Sequence, residues 1–345
     1  MPRVAPLRLA AYALCATAAL LLSACDRTPT RIALSGATMG TTWSAVYAGA
    51  SGLAAGDAQA LIEGELRAIN DALSTYIAES EISRLNAIAG VADVQLSERF
   101  AEVLDSALEW SALTQGAYDV TVGPLVELWG FGSTDFRGAV PDQDEIDAAL
   151  AVVGAPKLSW NAQQRRLQRP AGMRLDLSSI AKGYAVDRLS RLLADRGADS
   201  SLVEIGGELR ARGERPEGGP WRVAVESPDP SERRFVDALS ISDASVATSG
   251  DYRNFFEVGG RRYSHLVDPR TGYPVDHELV SVTVIHEDCM VADALATGLI
   301  VMGLDAARAL AEAQGLAAQF VTAGSEGLDV HYTEGFAVYR EQAER

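Results

Sequence analysis

Two C-terminal segments of this 345-residue chain carry residue types that metal-assisted phosphoryl chemistry uses. His265, one of four histidines, lies three residues before Asp268 and its following proline. Asp293 and Thr297 are four residues apart in an apolar stretch, so a helix there would place both oxygens on one face. A neutral imidazole accepts protons near pH 7, and hard cations prefer oxygen ligands. The two segments together suggest a base beside a cation site.

Each of these side chains also has a structural interpretation. Spacing alone favours Asp293 as a buried carboxylate that caps a neighbouring loop, with Thr297 bonded back to its own helix. His265 is equally typical of an imidazole hydrogen-bonded under the Asp268-Pro269 turn. His277, His286 and His331 lie in polar or terminal contexts that favour structural or surface roles.

The N-terminus has the pattern of an exported bacterial lipoprotein. Arg3 and Arg8 precede an apolar run that is short for a membrane span, and small residues then lead to Cys25. This resembles a lipobox, in which cleavage leaves Cys25 as a lipidated N-terminus; the alternative is an ordinary signal peptide with a chance cysteine. We expect a signal peptide over residues 1–24, a tether over 25–35, and a lipid anchor at the periplasmic face of the bacterial inner membrane. Asp26 resembles the inner-membrane retention signal of many enterobacterial lipoproteins.

Charge and cysteine content exclude other classes of protein. The net charge is −17, and removal of residues 1–24 leaves 28 basic against 47 acidic residues, or −19. An acidic surface repels phosphate backbones, so no nucleic-acid partner is expected. Cys289 is the one cysteine left after the signal peptide and Cys25, so the processed monomer has no internal disulfide.

Hydrophobic periodicity predicts an α+β protein in which helices are segregated from antiparallel strands, with one domain over residues 36–345. Predicted helices cover residues 53–73, 97–113, 141–152, 178–196, 291–302 and 306–313. Predicted strands cover residues 37–47, 173–177, 201–205, 221–226, 235–241, 245–248, 252–258, 262–267, 279–286, 318–321 and 328–332. Gly259-Gly260 is predicted to form a hairpin turn.

Seven segments, in chain order, resemble one known family, the ApbE family of FAD:protein FMN transferases. They are Thr38-Met39-Gly40-Thr41, Leu73-Ser74-Thr75-Tyr76 with the following Ser80–Asn86, Gly116–Thr121, Asp176–Asp187, Glu204-Ile205-Gly206-Gly207-Glu208, Ser264–Gly272 and Cys289–Thr297. The resemblance covers essentially the whole chain after the predicted signal peptide. Any one of these segments alone would be a weak match, whereas seven in order make coincidence improbable.

The resemblance implies an ApbE-like, T-fold-like α+β architecture and a reaction. Family members bind FAD with Mg²⁺, release AMP, and attach FMN through a phosphoester to a threonine of an acceptor flavoprotein that carries a Ser/Thr-rich flavinylation motif. Two alternatives stay open: an FAD pyrophosphatase that uses water as the acceptor, and a non-catalytic flavin-binding lipoprotein. The identity of the acceptor protein is not encoded in this chain.

The resemblance also implies site residues. It reverses the structural interpretation of Asp293 and Thr297, which become Mg²⁺ ligands with a backbone carbonyl of Ser179, and Ala296 is a further candidate carbonyl. His265 is the candidate base. The implied flavin nucleotide contacts are Met39, Tyr76, Ala117, Tyr118, Asp119, Asp176, Lys182 and Val267.

Several of these contacts keep alternatives on the residues alone. Met39 and Tyr76 can pack on flat rings, and Asp119 either reads a ring edge or bridges two sheets. Asp176 either hydrogen-bonds adenine or caps the following helix. Lys182 either meets a phosphate or ribose near a helix N-terminus or faces solvent.

Overall fold

The computed structural model describes residues 31–50, 52–133, 138–228, 234–252, 254–324 and 327–341. The predicted signal peptide, Cys25 and residues 25–30 of the predicted tether lie outside the described residues. The first strand, β1 (Ile32–Thr38), starts inside the segment assigned to the tether, because Ile32 and Leu34 pack against the core. The sheet therefore begins before the predicted tether ends.

Helices and strands are numbered in chain order. The helices are α1 (Ala55–Leu73), α2 (Glu81–Ala87), α3 (Glu98–Leu113), α4 (Gly123–Leu128), α5 (Gln143–Leu150), α6 (Ser178–Ala194), α7 (Cys289–Met302), α8 (Leu304–Gln314) and α9 (Glu334–Ala337). After β1 the strands are β2 (Thr41–Ala48), β3 (Ala92–Gln95), β4 (Ser159–Asn161), β5 (Arg166–Arg169), β6 (Ser200–Ile205), β7 (Glu208–Arg212), β8 (Trp221–Glu226), β9 (Phe235–Ile241), β10 (Ala244–Gly250), β11 (Phe255–Val258), β12 (Arg261–Ser264), β13 (Leu279–His286), β14 (Ala317–Gly324) and β15 (Gly327–Tyr332).

One eight-stranded sheet organises the molecule, in the order β1-β2-β6-β7-β10-β13-β14-β15. All seven neighbouring pairs are antiparallel. Three smaller sheets accompany it: β3-β5-β4, β8-β9 and β11-β12. The α+β prediction with antiparallel sheets is confirmed.

The two faces of the large sheet are covered differently. Helices cover one face: Trp43, Ala45 and Val203 on that face share a core with α1, α3 and α6. The β8-β9 ribbon covers the other face, where Leu239 and Ile241 pack with Val246 and other sheet residues that point away from the helices. Because successive strand residues point to opposite faces, each central strand contributes side chains to the cores on both faces of the sheet.

Helix α7 is buried almost all round, as its apolar sequence predicts. It packs between the sheet and α6. Most of its buried apolar residues form a separate core with β13, β14 and α8, while Cys289 and Ala294 join the core shared with α1, α3 and α6. The boundaries of the long predicted helices agree with the structure to within a few residues, and Ser97 caps α3 as predicted by accepting a bond from the Phe100 amide at 3.3 Å. The Gly259-Gly260 hairpin turn between β11 and β12 is also confirmed.

Two predicted strands are wrong. Residues 37–47 form a hairpin, because Met39 and Gly40 adopt positive φ angles of 49° and 72° that reverse the chain between β1 and β2. Residues 173–177 form no strand: the amide and carbonyl of Leu175 bind the side chain of Asn86 at 2.8 Å, and a single bridge joins Val122 to Arg174. A side chain thus replaces the neighbouring strand.

Sequence periodicity also missed short elements. Helices α2 and α4, the sheet β3-β5-β4, and strand β7 were not predicted as elements. Each of these helices and strands is short, so the apolar pattern has too few repeats to distinguish helix from strand or loop.

Candidate functional site

A single pocket collects the predicted site residues that the structure describes, except Ala296, which is fully buried and does not line it. Its cavity volume is about 660 Å³, within the range of pockets that hold small organic ligands. Its lining includes Met39, Tyr76, Ala117, Tyr118, Asp119, Asp176, Ser179, Lys182, His265, Val267, Asp293 and Thr297. Residues from the first hairpin and from the C-terminal part of the chain therefore face one space. Cys25 lies outside the described residues.

The close approach of α6 and α7 forms the base of this pocket. A Cβ added at Gly183 would lie 2.4 Å from the carbonyl oxygen of Cys289, so only glycine fits at the contact. The Gly183 amide donates to Oδ2 of Asp293 at 2.9 Å. The Asp293 carboxylate is thus tied to the first turns of α6, at the end that carries Ser179.

Asp187 fixes the relative position of these helices. Its two oxygens accept bonds from the amides of Cys289 (3.0 Å) and Met290 (2.9 Å), at the N-terminus of α7. Arg210 on β7 lies 2.6 Å from Oδ1 of the same carboxylate. Burial raises the pKa of Asp187, and the two amides and Arg210 oppose that rise. Sequence analysis assigned Asp187 no role, because a cap supplied by another helix leaves no local spacing signal.

Asp293 and Thr297 lie one turn apart on α7 and both face the pocket, so the predicted juxtaposition holds. Asp293 is 3% exposed, and burial raises its pKa, with the Lys182 charge acting in the opposite direction. Oγ1 of Thr297 lies 3.0 Å from Oγ of Ser249 on β10, so this hydroxyl contacts another element of the fold. Oδ2 of Asp293 binds the Gly183 amide inside α6, so this carboxylate contacts a helix and not the loop that the structural interpretation predicted.

The oxygen donors around Asp293 fit a Mg²⁺ ion. A carboxylate, a hydroxyl and main-chain oxygens of the first α6 turn are hard ligands, and Mg²⁺ usually adds water and substrate phosphates to a few protein oxygens. In the described part of the chain, no group of three or more His, Cys, Asp or Glu side chains could hold a metal by itself. A cation here would complete its coordination with hydroxyl and main-chain oxygens, water or oxygens of a bound substrate.

Lys182 meets a carboxylate that sequence analysis had not assigned. Its Nζ lies 2.5 Å from Oε2 of Glu208, the first residue of β7, and the Glu208 side chain is 3% exposed. Burial would lower the pKa of Lys182, but the charges of Asp293 and Glu208 outweigh burial and raise it. The lysine stays protonated, and it is partly buried, so the solvent-facing interpretation is wrong.

His265 presents one ring nitrogen as a base. Nδ1 lies 2.9 Å from the carbonyl oxygen of Asn254. Because a carbonyl only accepts, Nδ1 carries the proton and Nε2 keeps its lone pair. Burial lowers the pKa of His265, with smaller contributions from Lys182 and Arg262, so the ring is neutral at pH 7. The hydrogen bond goes to Asn254 across the β11-β12 end and not to the Asp268-Pro269 turn.

The segment after His265 is a tight turn that anchors Val267. Gly272 and Thr271 amides bind the carbonyl of Asp268, and the carboxylate of Asp268 pairs with the guanidinium of Arg270 at 2.8 Å. The indole of Trp129 donates to the carbonyl of Gly272 at 2.8 Å. The Asp-Pro run thus holds the pocket wall in place.

Aromatic side chains stack along the same wall. Trp129 packs against Tyr263 with ring centroids 5.5 Å apart, and Phe131 packs on Phe256 at 5.1 Å. The Phe131 ring meets His265 edge-on at 6.3 Å. These aromatic rings shield the His265 imidazole from water, which explains why its pKa is lowered.

Three predicted flavin nucleotide contacts lie at different depths. Tyr118 is 2% exposed, and its hydroxyl lies beside Ser179 without meeting hydrogen-bond geometry among the described residues. Met39 is half-buried in the β1-β2 turn, and Tyr76 is 71% exposed at the rim. A flat ligand could be enclosed at Tyr118 and covered at Tyr76.

Asp119 and Asp176 are engaged in backbone contacts beside the pocket. Oδ1 of Asp119 accepts from the amide and hydroxyl of Thr121, and Oδ2 accepts from the Ala155 amide at 2.7 Å. It joins two loops, so the sheet-bridging alternative is wrong. Oδ1 of Asp176 accepts from the amide of Ser178, the first residue of α6, at 2.8 Å, although Leu177 and not Asp176 occupies the N-cap position.

Comparison with known proteins gives this geometry a family. Residues 39–320 match the ApbE family. The FAD:protein FMN transferase of Vibrio cholerae serotype O1 is 40% identical over 320 residues, 92% of this chain and 95% of the relative. That of Escherichia coli K12 is 39% identical over 88% of this chain and 90% of the relative. The solved flavin transferase ApbE from Vibrio cholerae has a TM-score of 0.83 and 38% identity, covering 90% of this chain and 99% of that structure. With an open antiparallel sheet backed by helices, one shared pocket and relatives of this similarity, the chain belongs to the ApbE family.

Proposed function

We propose that this protein uses Mg²⁺ to transfer FMN from FAD to a threonine hydroxyl of an acceptor protein. The coarser activity, flavin transfer from FAD to a protein, follows from family membership and from the names of the close relatives. The observation that carries the finer proposal is the meeting of His265 with Asp293 and Thr297 on one pocket.

The proposed cation ligands are Asp293, Thr297 and the backbone carbonyl of Ser179. Bound there with the FAD pyrophosphate, Mg²⁺ would neutralise charge on the phosphate oxygens and orient the bridge. Lys182 adds a fixed positive charge near Asp293. The predicted ring contacts, Met39, Tyr76 and Tyr118, would hold the planar parts of FAD.

The proposed role of His265 is that of a general base. Nε2 accepts the proton of the acceptor hydroxyl while that oxygen bonds to the phosphorus of the FMN half. The pyrophosphate P–O bond breaks, and AMP leaves with the bridging oxygen. The hydrogen bond from Nδ1 to Asn254 keeps the ring oriented and stabilises the charge that it gains.

A product assay tests the proposal. Purified protein is incubated with FAD and Mg²⁺, with and without a candidate acceptor; AMP is measured by chromatography and FMN on threonine by mass spectrometry. The proposal expects AMP and a covalent adduct only when the acceptor and Mg²⁺ are both present. AMP without an acceptor would favour the pyrophosphatase, and intact FAD under every condition would favour the non-catalytic binder.

We also propose that a lipid on Cys25 holds the enzyme at the periplasmic face of the inner membrane. Support comes from the residue pattern around Cys25. Within the residues that the structure describes, no helix has the length and apolar character of a membrane span. Replacement Cys25→Ser should release the protein from the membrane fraction. Unchanged fractionation would overturn this assignment.

A further inference from the structure

The Lys182 ammonium has two buried carboxylates in its neighbourhood but pairs with only one of them. Among the described residues its ion pair within 4.0 Å is to Glu208, and none is formed with Asp293. Asp293 is near because the amide of the next residue, Gly183, binds its Oδ2 at 2.9 Å, and the charge of Asp293 raises the pKa of Lys182. Lys182 is thus held beside a carboxylate with which it does not pair.

The backbone fixes Glu208 in this position. Glu208 begins β7 and pairs with Ile205 across the Gly206-Gly207 turn, whose φ angles are 61° and 109°. The lysine side chain is a flexible four-carbon stem with no preferred geometry of its own, so its ammonium follows the nearest fixed anion. In a low-dielectric site the attraction between opposite charges is strong, and an ammonium released from Glu208 would move toward Asp293.

Such a movement would compete directly with a cation. Oδ2 of Asp293 is engaged by the Gly183 amide, which leaves Oδ1 as the oxygen for another partner. An ammonium at Oδ1 would occupy the oxygen that Mg²⁺ needs as a ligand, and it would add a positive charge where Mg²⁺ would bind.

We propose that Glu208 is a positioning residue that holds the Lys182 ammonium away from Asp293, so that Asp293 keeps an oxygen for a divalent cation. This inference rests on the proposed function in one respect, the cation site at Asp293. It gives a role to the last residue of the Glu204–Glu208 segment. The proposed effect is electrostatic: the buried carboxylate of Glu208 attracts the Lys182 ammonium and so prevents it from pairing with the buried carboxylate of Asp293.

A double-variant cycle tests this role by cation binding. Mn²⁺ replaces Mg²⁺, and loss of the free Mn²⁺ EPR signal is followed with saturating FAD in a His265→Ala background that prevents turnover. Glu208→Gln should weaken Mn²⁺ binding about tenfold or more, a typical effect for residues that support metal ligands. Adding Lys182→Met to Glu208→Gln should restore binding to that of Lys182→Met alone.

The outcomes are distinct. If the wild-type protein binds no Mn²⁺ that Mg²⁺ can displace, the proposed cation site does not exist and the inference fails with it. Normal binding by Glu208→Gln, or a double variant that stays as weak as Glu208→Gln, would overturn the positioning role and leave the cation site standing. Circular dichroism and urea unfolding check that each variant folds. If Glu208→Gln does not fold, Glu208→Asp keeps the charge but withdraws it by one carbon, and it should give an intermediate loss that Lys182→Met again reverses.

Discussion

At the scale of single residues, the protonation of His265 decides whether a base is present. Burial and nearby cations lower its pKa below the ordinary 6.5, so the neutral, proton-accepting form persists in mildly acidic solution. We expect kcat/KM for FMN transfer to fall only as pH drops below 6.5, through that lowered pKa. Lys182→Met removes one cation that lowers the pKa, so the acid limb should move to higher pH.

The control for this pH profile is Arg166→Met. Arg166 is an exposed cation paired with Asp93 in the small sheet, and its loss should leave the limb in place. A wild-type limb at or above the ordinary histidine pKa, or a limb that moves to lower pH in Lys182→Met, would contradict the assignment of His265.

Met39 occupies its place at the pocket in an unfavourable backbone conformation. Its φ of 49° is a left-handed angle that side chains with a Cβ rarely adopt outside such turns. Met39→Ala and Met39→Gly both remove the side chain, but only glycine relieves the strain. We expect Met39→Gly to be more stable than Met39→Ala by about 1 kcal/mol in urea unfolding.

Function should change differently from stability at this position. Both Met39 variants should lose FAD affinity to the same degree, measured by flavin fluorescence, because the lost contact is the thioether. Equal stability of the two variants would show that the turn carries no strain, and unchanged affinity would remove Met39 from the ligand contacts.

Residue types and spacing singled out His265, Asp293 and Thr297 but left their structural interpretations open. The family resemblance made Asp293 and Thr297 cation ligands and added the flavin nucleotide contacts. The carbonyl of Asn254 was not predictable, since every residue has a carbonyl and strand register decides which one meets His265. Glu208 stood in a matched segment, but its partner Lys182 is distant in sequence and is set by the contact of β7 with α6.

At the scale of elements, the contact between α6 and α7 positions the proposed cation ligands. Alanine normally stabilises a helix interior relative to glycine by about 0.5–1 kcal/mol. At Gly183 the added Cβ would lie 2.4 Å from the Cys289 carbonyl, so we expect Gly183→Ala to destabilise the protein and to weaken Mn²⁺ binding as α7 moves. Urea unfolding and EPR titration measure the two effects.

Gly64 provides the matched control within α1. The atom nearest to a Cβ added at Gly64 would be the flexible guanidinium end of Arg67, 3.8 Å away. Gly64→Ala should therefore follow the ordinary preference of helices for alanine and stabilise the protein. If Gly183→Ala also stabilised the protein and left Mn²⁺ binding intact, the close contact would not position Asp293.

Element prediction succeeded where a pattern repeats. Helices α1, α3 and α6 each show several turns of apolar periodicity, and their observed bounds lie close to the predicted ones. The β1-β2 hairpin was predicted as one strand because methionine at a left-handed position gives no turn signal, unlike Asn-Gly. Residues 173–177 alternate apolar and charged side chains as a strand does, but the Asn86 side chain takes the backbone hydrogen bonds of Leu175 that a neighbouring strand would supply.

At the scale of the whole molecule, the pocket joins distant parts of the chain. Its lining runs from Met39 in the first hairpin to Val301 near the end of α7. Separate apolar cores meet there: Tyr118 belongs to the core shared with α1, α3 and α6, and Val267 belongs to another that contains Leu125 and Trp129. Sequence patterns predicted the segregation of helices and strands, whereas the order of strands in the sheet depends on long-range pairing that no local pattern encodes.

This arrangement couples ligand binding to unfolding of the entire described fold. A ligand that binds only the folded state stabilises it by RT ln(1 + [L]/Kd), about 2.7 kcal/mol at one hundred times Kd. In a His265→Ala background, FAD at that excess with Mg²⁺ should raise the urea unfolding free energy by about this amount in a single transition. Asp293→Asn should remove the part that depends on Mg²⁺ while keeping a smaller gain from FAD alone. The pocket needs the first hairpin and α7 together. If urea unfolding showed two transitions and FAD stabilised the protein in only one of them, the site would not be shared by the whole fold.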